Sequence, residues 1–251
     1  MSTLRRARPM LGTLVELGIA LPAARPPAWA RAALDEGWQA VATVEAAMSA
    51  FLPDSDVARF NRAKAGSRLE VRRETATVLR AAAALQRRSG GLFDVTLGTG
   101  PGSWSMSGRV LVKGAAAARL DLGGIAKGHA VDLAVERIAA ALAGRAGRMA
   151  CWANAGGDLA VRGAVEMPVH LRDEEGGGAR PWLLLRQGAV ATSHFSASPG
   201  RLCGGPARAR HVSVVGPRCL DCDALTKVVG LSGRTDHPAV LHLGGHAWIH
   251  P

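Results

Sequence analysis

The sequence predicts an α+β fold with mixed or antiparallel sheets and flanking helices, not a regular βαβ alternation. Three observations point there. Apolar residues recur at three- and four-residue steps over about 29–50, 74–88 and 125–143, the period of amphipathic helices. Beyond about 149 the chain turns to short β-type segments separated by Gly, Asn and Pro turns. With 251 residues and 48% hydrophobic content, the chain can bury a sizeable core, and it lacks the long polar tracts of a disordered one. No internal repeat or linker interrupts it, so residues 1–251 read as a single domain.

The elements follow in order. Residues 11–19 form a first strand, and a connection rich in proline (Pro22, Pro26, Pro27) leads to the helix near 29–50, striped by Val41, Val44, Met48 and Phe51. The Pro53-Asp54 turn then opens a short helix ending near Asn61. The helix over 74–88 stops at Gly90-Gly91, and the Gly- and Ser-rich residues 98–108 form a loop. Strands at 109–113 and 118–122 precede the helix over 125–143, whose stripe is Val131, Val135, Ile138 and Leu142. Strands are expected near 149–154, 158–163, 167–172, 181–186, 189–192 and 211–215, with a loop over 196–210. A short helix at about 221–230 and a strand at 239–243 complete the chain.

Composition removes several function classes. A net charge of +11 invites a nucleic-acid reading, but the arginines are scattered and there is no tyrosine to stack on bases. A general arginine bias explains the charge, and no nucleic-acid partner is expected, although anionic ligands are. No stretch approaches the ~18 uninterrupted apolar residues of a membrane helix. The basic start, Met1 to Pro9, is followed by no apolar block or cleavage site, so a cytoplasmic location is expected. Cys219-x-x-Cys222 has metal-ligand or redox spacing without a second pair, and buried free thiols in a reducing compartment are the simpler reading. There is no Gly-x-Ser-x-Gly elbow for a serine hydrolase, and Thr192-Ser193-His194 alternate faces on a strand and make no catalytic pair.

Two segments carry most of the chemistry. Asp121-Leu-Gly-Gly-Ile-Ala-Lys127-Gly-His-Ala-Val-Asp132 closes an apolar strand, turns on Gly123 and Gly124, and opens a helix with a lysine in its first turn. A helix N-terminus presents unpaired N–H groups and partial positive charge, which suits a phosphate. Asp223-Ala-Leu-Thr226-Lys227 puts a carboxylate and a hydroxyl on one helix face, a pairing that serves either a hard cation such as Mg2+ or simply a helix start. Gly91-Leu92-Phe93-Asp94 follows a helix. There Asp94 either holds a ring nitrogen or ribose hydroxyl beside Phe93, or is a turn residue with Phe93 in the core.

Taken in order, these segments resemble the ApbE family of flavin transferases, the FAD:protein FMN transferases. The resemblance rests on Met10-Leu-Gly-Thr13, Met48 to Asp56 through Asn61, Gly91 to Asp94, Asp121 to Asp132, Asn154-Ala-Gly-Gly-Asp158, Ala191-Thr-Ser193, and Val212 to Val215 followed by Asp223 to Lys227. It spans nearly the whole chain. It implies a two-lobed fold with FAD in the cleft between the lobes, contacted at Met10, Phe51, Leu92, Phe93, Asp94, Asp121 and Lys127. It further implies Mg2+ on Asp223, Thr226 and the backbone carbonyl of Gly124. An acceptor flavoprotein offers a Ser or Thr hydroxyl, which attacks the FMN phosphorus of FAD and releases AMP. Asp223 and Lys127 then belong to the reacting centre.

Two departures qualify the resemblance. Relatives carry a His-His-Ile-x-Asp-Pro-x-Thr-Gly type segment, where this chain reads Ser196 to His211, leaving His211 as the stand-in for one of those histidines. Many relatives also place the late threonine one residue further from the aspartate than Thr226 stands from Asp223 here. An FAD-binding protein without transfer activity and an FAD pyrophosphatase therefore stand as alternatives to the transferase. The sequence leaves oligomeric state and the identity of the acceptor open.

Overall fold

The computed structural model describes residues 2–23, 25–100, 102–145, 147–172, 176–195 and 206–251. In chain order the elements are β1 (Ser2–Met10), β2 (Thr13–Leu21), α1 (Ala28–Met48), α2 (Asp56–Arg62), β3 (Arg68–Glu70), α3 (Arg73–Arg88), β4 (Trp104–Ser107), β5 (Val110–Lys113) and α4 (Ala126–Leu142). They continue with β6 (Ala150–Ala155), β7 (Asp158–Gly163), β8 (Met167–Arg172), β9 (Ala179–Leu185), β10 (Gly188–His194), β11 (His211–Gly216), α5 (Cys219–Ser232), α6 (Pro238–His242) and β12 (His246–His250). The α+β class holds. Among the described residues the main sheet has seven strands in the order β1-β2-β6-β7-β10-β11-β12, with a small sheet β3-β5-β4 and the hairpin β8-β9 beside it.

The main sheet is covered on both faces. Helices α1, α4 and α5 pack on one face, where Leu17, Ile19, Leu34, Val41, Val131, Ile138, Val212 and Leu225 belong to one continuous apolar core. The other face carries a smaller cluster in which Trp152, Val161 and Val190 meet Val169 and Leu185 of the β8-β9 hairpin. No helix among the described residues is long and apolar enough to cross a membrane.

The expected helices all form, within a few residues of their expected ends. The strands differ in four places. The basic segment before residue 11 is itself a strand, β1, paired with β2 residue by residue from Met10↔Thr13 to Ser2↔Leu21. Leu11 and Gly12 both take positive φ (55° and 71°), the turn that matches the twist of a two-residue hairpin. β1 lies at the edge with mostly exposed side chains, so it shows no apolar alternation in the sequence.

The strand expected at 118–122 does not form. Its backbone is taken by side chains and a turn instead: Leu120 N–H donates to Asn61 Oδ1 (2.7 Å), Asn61 Nδ2 donates to Leu120 O (3.0 Å), and Asp121 N–H donates to Val95 O (2.8 Å). The stretch 98–108, expected as a loop, contains β4, which pairs with β5. The strand expected at 239–243 is replaced by helix α6 and its C-cap, Leu243. Pro238 stands at its first turn and the His237 ring accepts the Ala239 N–H, a start that leaves no room for extended backbone. The last strand is β12, which pairs with β11. The loop expected over 196–210, with Cys203, falls largely outside the described residues.

Helix α5 lacks a side-chain cap of its own, because Arg218 occupies its N-cap. Asp132 from α4 supplies one, accepting the N–H groups of Cys219 (2.8 Å) and Leu220 (2.9 Å). Burial pushes the Asp132 carboxyl up to about 6, against the pull of those two bonds. Folding therefore favours the protonated group, and this contribution is full below the ordinary carboxylate value and fades as pH rises through about 6. We expect Asp132→Ala to lower stability by about 1–2 kcal/mol in denaturant unfolding, since a cap is lost. Asp132→Asn keeps an acceptor and sheds the buried charge, so at pH 8 it is expected to lose less than the alanine variant.

Candidate functional site

A cavity of about 370 Å³ opens where five segments converge: the turn 92–97, the residues entering α4, the β6-β7 turn at Gly156, the end of β10, and α5. Leu92, Phe93 and Asp94 form one wall, and Asp121, Gly123, Gly124 and Lys127 form another. Phe93 is both core and wall, buried in the main cluster while it lines the cavity. Asp94 is also both things the sequence left open. Its carboxylate accepts the N–H and hydroxyl of Thr96 (2.8 and 2.7 Å), fixing a turn, and the residue still lines the cavity. Asp121 shapes the next turn by accepting the Gly123 N–H at 2.7 Å.

Behind the Lys127 wall lies a cluster of four charges. Lys127 Nζ is 2.9 Å from Asp158 Oδ2 and 3.8 Å from Asp223 Oδ2. Lys227 Nζ makes an ion pair with Asp223 Oδ1 and donates to the Asp223 carbonyl at 2.9 Å and to Ser193 Oγ at 3.3 Å. The Gly128 N–H, in the first turn of α4, adds a bond to Asp223 Oδ2 at 3.2 Å. Asp158 and Asp223 are buried, whereas the lysine side chains keep 25% (Lys127) and 16% (Lys227) exposure on the cavity side. Two carboxylates and two ammonium groups sum to zero, which is how a buried set of this size is tolerated.

The cluster sets its own protonation. Asp223 raises the pKa of Lys127 well above the ordinary lysine value, against burial and with help from Asp158. Burial alone would raise Asp223, but Lys127, Lys227 and the Gly128 N–H outweigh it and hold the carboxyl below its usual range. Asp158 goes the other way: burial and the neighbouring Asp223 push it up more than the lysines pull it down. Lys127 and Asp223 thus stay charged.

The residues expected to form the site divide into two groups. Leu92, Phe93, Asp94, Asp121, Gly124 and Lys127 line one cavity, with Asp223 and Thr226 buried directly behind it. Met10 packs against the core at the end of β1 and is not among the lining residues. Phe51 is 91% exposed in the turn after α1 and is also off the wall. His211 is buried on β11, in a row formed by register across β10, β11 and β12: His194, His211 and His250. Ring centroids are 5.6 Å apart for the first pair and 4.7 Å for the second. Of these three histidines, only His194 lines the cavity.

Ser193, Asp158 and Lys227 stand in the segments that carry the resemblance but receive no role in the site from the sequence. A carboxylate directly after a Gly-Gly turn and a lysine four residues after an aspartate on one helix were the available signals. Thr192 and Ser193 alternate faces as expected: Thr192 Oγ1 meets Ser213 Oγ at 2.8 Å, and Ser193 Oγ meets Thr226 Oγ1 at 2.7 Å. Cys219 and Cys222 are free and buried, and burial raises both thiols well above their ordinary value. Among the described residues no group of three His, Cys, Asp or Glu side chains is arranged to hold a metal.

The Mg2+ set implied by the resemblance, Gly124 carbonyl, Asp223 and Thr226, does not fit an added ion as the side chains stand. Lys227 Nζ is already on Asp223, and its stem passes over Gly124, with Cε 3.2 Å from where a β-carbon would stand. The Thr226 hydroxyl donates to the Asp223 carbonyl at 2.7 Å. Both Asp223 oxygens are engaged by an ammonium group.

The family model described as the ApbE family matches residues 11–110 and 100–195 of the chain. No curated protein matches the sequence. Among solved structures, the ApbE protein of Thermotoga maritima superposes with a TM-score of 0.82 at 21% identity, covering 99% of this chain and 94% of that one. The flavin transferase ApbE of Vibrio cholerae gives 0.80 at 17% identity, covering 99% and 97%. The Pseudomonas stutzeri flavinyl transferase ApbE, in its apo form, gives 0.74 at 20% identity, covering 91% and 84%. At these identities the structures speak to the fold, and the family rests on the sequence model: this chain belongs to the ApbE family.

Proposed function

We propose that the chain is an FAD:protein FMN transferase, which takes FAD into the cavity and passes FMN to a Ser or Thr hydroxyl of an acceptor flavoprotein. The observation that carries this reading is the pairing of an aromatic wall with a cationic one in a single cavity. Phe93 and Leu92 offer a flat apolar surface for a flavin ring, and Lys127 and Lys227 offer charge for the diphosphate at the other wall. Membership of the family, and the names its structural relatives carry, agree with it.

In the proposed transfer the acceptor oxygen bonds to the FMN phosphorus as the bond from that phosphorus to the AMP oxygen breaks. AMP leaves as a phosphate and needs no proton. The hydroxyl proton passes to His194, the imidazole on the cavity wall, with the His211 ring edge-on to it. Lys127, kept protonated by Asp223, stabilises charge gathering on the bridging and non-bridging oxygens. The implied Mg2+ would share this duty in relatives; Lys227 stands in its way here.

The test is direct. Incubating the chain with FAD, Mg2+ and a Thr-bearing acceptor flavoprotein is expected to yield flavin-labelled acceptor and AMP in equal amounts, followed by in-gel fluorescence and chromatography. Bound flavin with no AMP would identify an FAD-binding protein without transfer activity, a reading favoured by the set-back position of His211. FMN and AMP without an acceptor would identify a pyrophosphatase. A colourless chain that takes up no FAD would overturn all three.

A further inference from the structure

We propose that Lys227 is the resident cation of this cavity: its ammonium group holds the place beside Gly124 and Asp223 that a divalent ion would take, so the chain grips a dinucleotide diphosphate without a divalent metal. The identity of the dinucleotide as FAD rests on the function proposed above; the displacement of the metal rests on geometry alone.

The three N–H donors of an ammonium group are all accounted for: Asp223 Oδ1, the Asp223 carbonyl and Ser193 Oγ. The hydroxyls next to it fall into line. Thr226 donates to the Asp223 carbonyl, so Ser193 is left to donate to Thr226 Oγ1 while accepting from Lys227. This chain of bonds fixes every proton and leaves Thr226 with little to offer a metal. The Asp223 carboxylate and the Thr226 hydroxyl, which a hard cation would seek here, are already satisfied by a full positive charge or by a donor that depends on one.

Electrostatics point the same way. The four buried charges cancel, so a divalent ion would add two uncompensated charges within contact distance of two ammonium groups. Removing Lys227 reverses the situation: Asp223 keeps Lys127 at 3.8 Å and the Gly128 N–H at 3.2 Å, both on Oδ2, so Oδ1 is released and space opens above Gly124. The longest of the Lys227 bonds, to Ser193, is the one a phosphate oxygen can replace, because both residues line the cavity.

FAD titration of the full chain, followed by flavin fluorescence in chelator and in millimolar Mg2+, tests the proposal. Wild type is expected to bind equally in both buffers. Lys227→Ala is expected to lose at least about tenfold in affinity in chelator, the scale of one charge-assisted contact, and to regain it with Mg2+. Lys227→Met, which keeps the stem over Gly124, is expected to lose affinity in both buffers. Wild-type binding that disappears in chelator would overturn the proposal, as would a Lys227→Ala variant that binds normally there. If no FAD binds in either buffer, the flavin reading fails, and Mn2+ titration of the ligand-free chain by paramagnetic resonance decides the metal question separately. Exclusion of Mn2+ by wild type with uptake by Lys227→Ala supports the resident lysine; wild-type uptake that Asp223→Asn abolishes overturns it.

Discussion

Replacing Asp223 with alanine is expected to cost about 3–5 kcal/mol of stability, the range for removing one partner from a buried ion pair. The carboxylate is fully buried and faces Lys127 on one side and Lys227 on the other. Its loss leaves Asp158 as the one remaining acidic partner of the cluster, 2.9 Å from Lys127 and too far to hold Lys227 as Asp223 does. The α4 turn also loses the acceptor for the Gly128 N–H. FAD binding should fall with it, because both lysines lose the group that orients them. Guanidinium unfolding and flavin titration on the same preparation would measure the two effects. A drop below about 1 kcal/mol would mean that the four charges are solvated and independent, as exposed pairs are.

Gly128→Ala is expected to be nearly as damaging through packing alone. A β-carbon there would stand 2.3 Å from the Cys219 carbonyl oxygen, 2.7 Å from its carbon and 2.9 Å from Asp223 Cβ. Two of these atoms are backbone, at the start of a helix that Asp132 holds in place, so neither helix can yield cheaply. Overpacking of this kind costs about 1–3 kcal/mol, and here the upper part of that range is expected. The same shift would pull Lys127 away from Asp223, so FAD affinity should drop beyond what the melting temperature explains. Calorimetry and titration together separate the two effects, and an unchanged melting temperature would refute the close helix contact.

Much of this was legible in the sequence, and the illegible parts share a cause. The apolar stripe of Val131, Val135, Ile138 and Leu142 gave α4 because burial dictates that period. Asp121, Lys127 and Asp223 could be singled out because turn glycines and helix starts leave local traces. β1 left none: its arginines lie on an exposed edge where no face has to be apolar. The stretch 118–122 has a strand's composition, but a distant asparagine side chain claims its backbone. Lys227 was visible only as the end of a motif. What it does depends on contacts with Ser193 and Gly124, which are remote in sequence, and no local pattern encodes such contacts. The same is true of His194, whose place on the cavity wall comes from strand pairing rather than from its neighbours.

The cap that Asp132 places on α5 has a kinetic consequence. Because one carboxylate ties the first turn of α5 to the middle of α4, the two helices that carry Lys127 and Lys227 form one block. The arrangement that greets an incoming anion is thus assembled in advance, with few rotamers left to freeze on arrival. Capture should then be governed by encounter: fast, accelerated at low ionic strength, and without the lag of a rearrangement step.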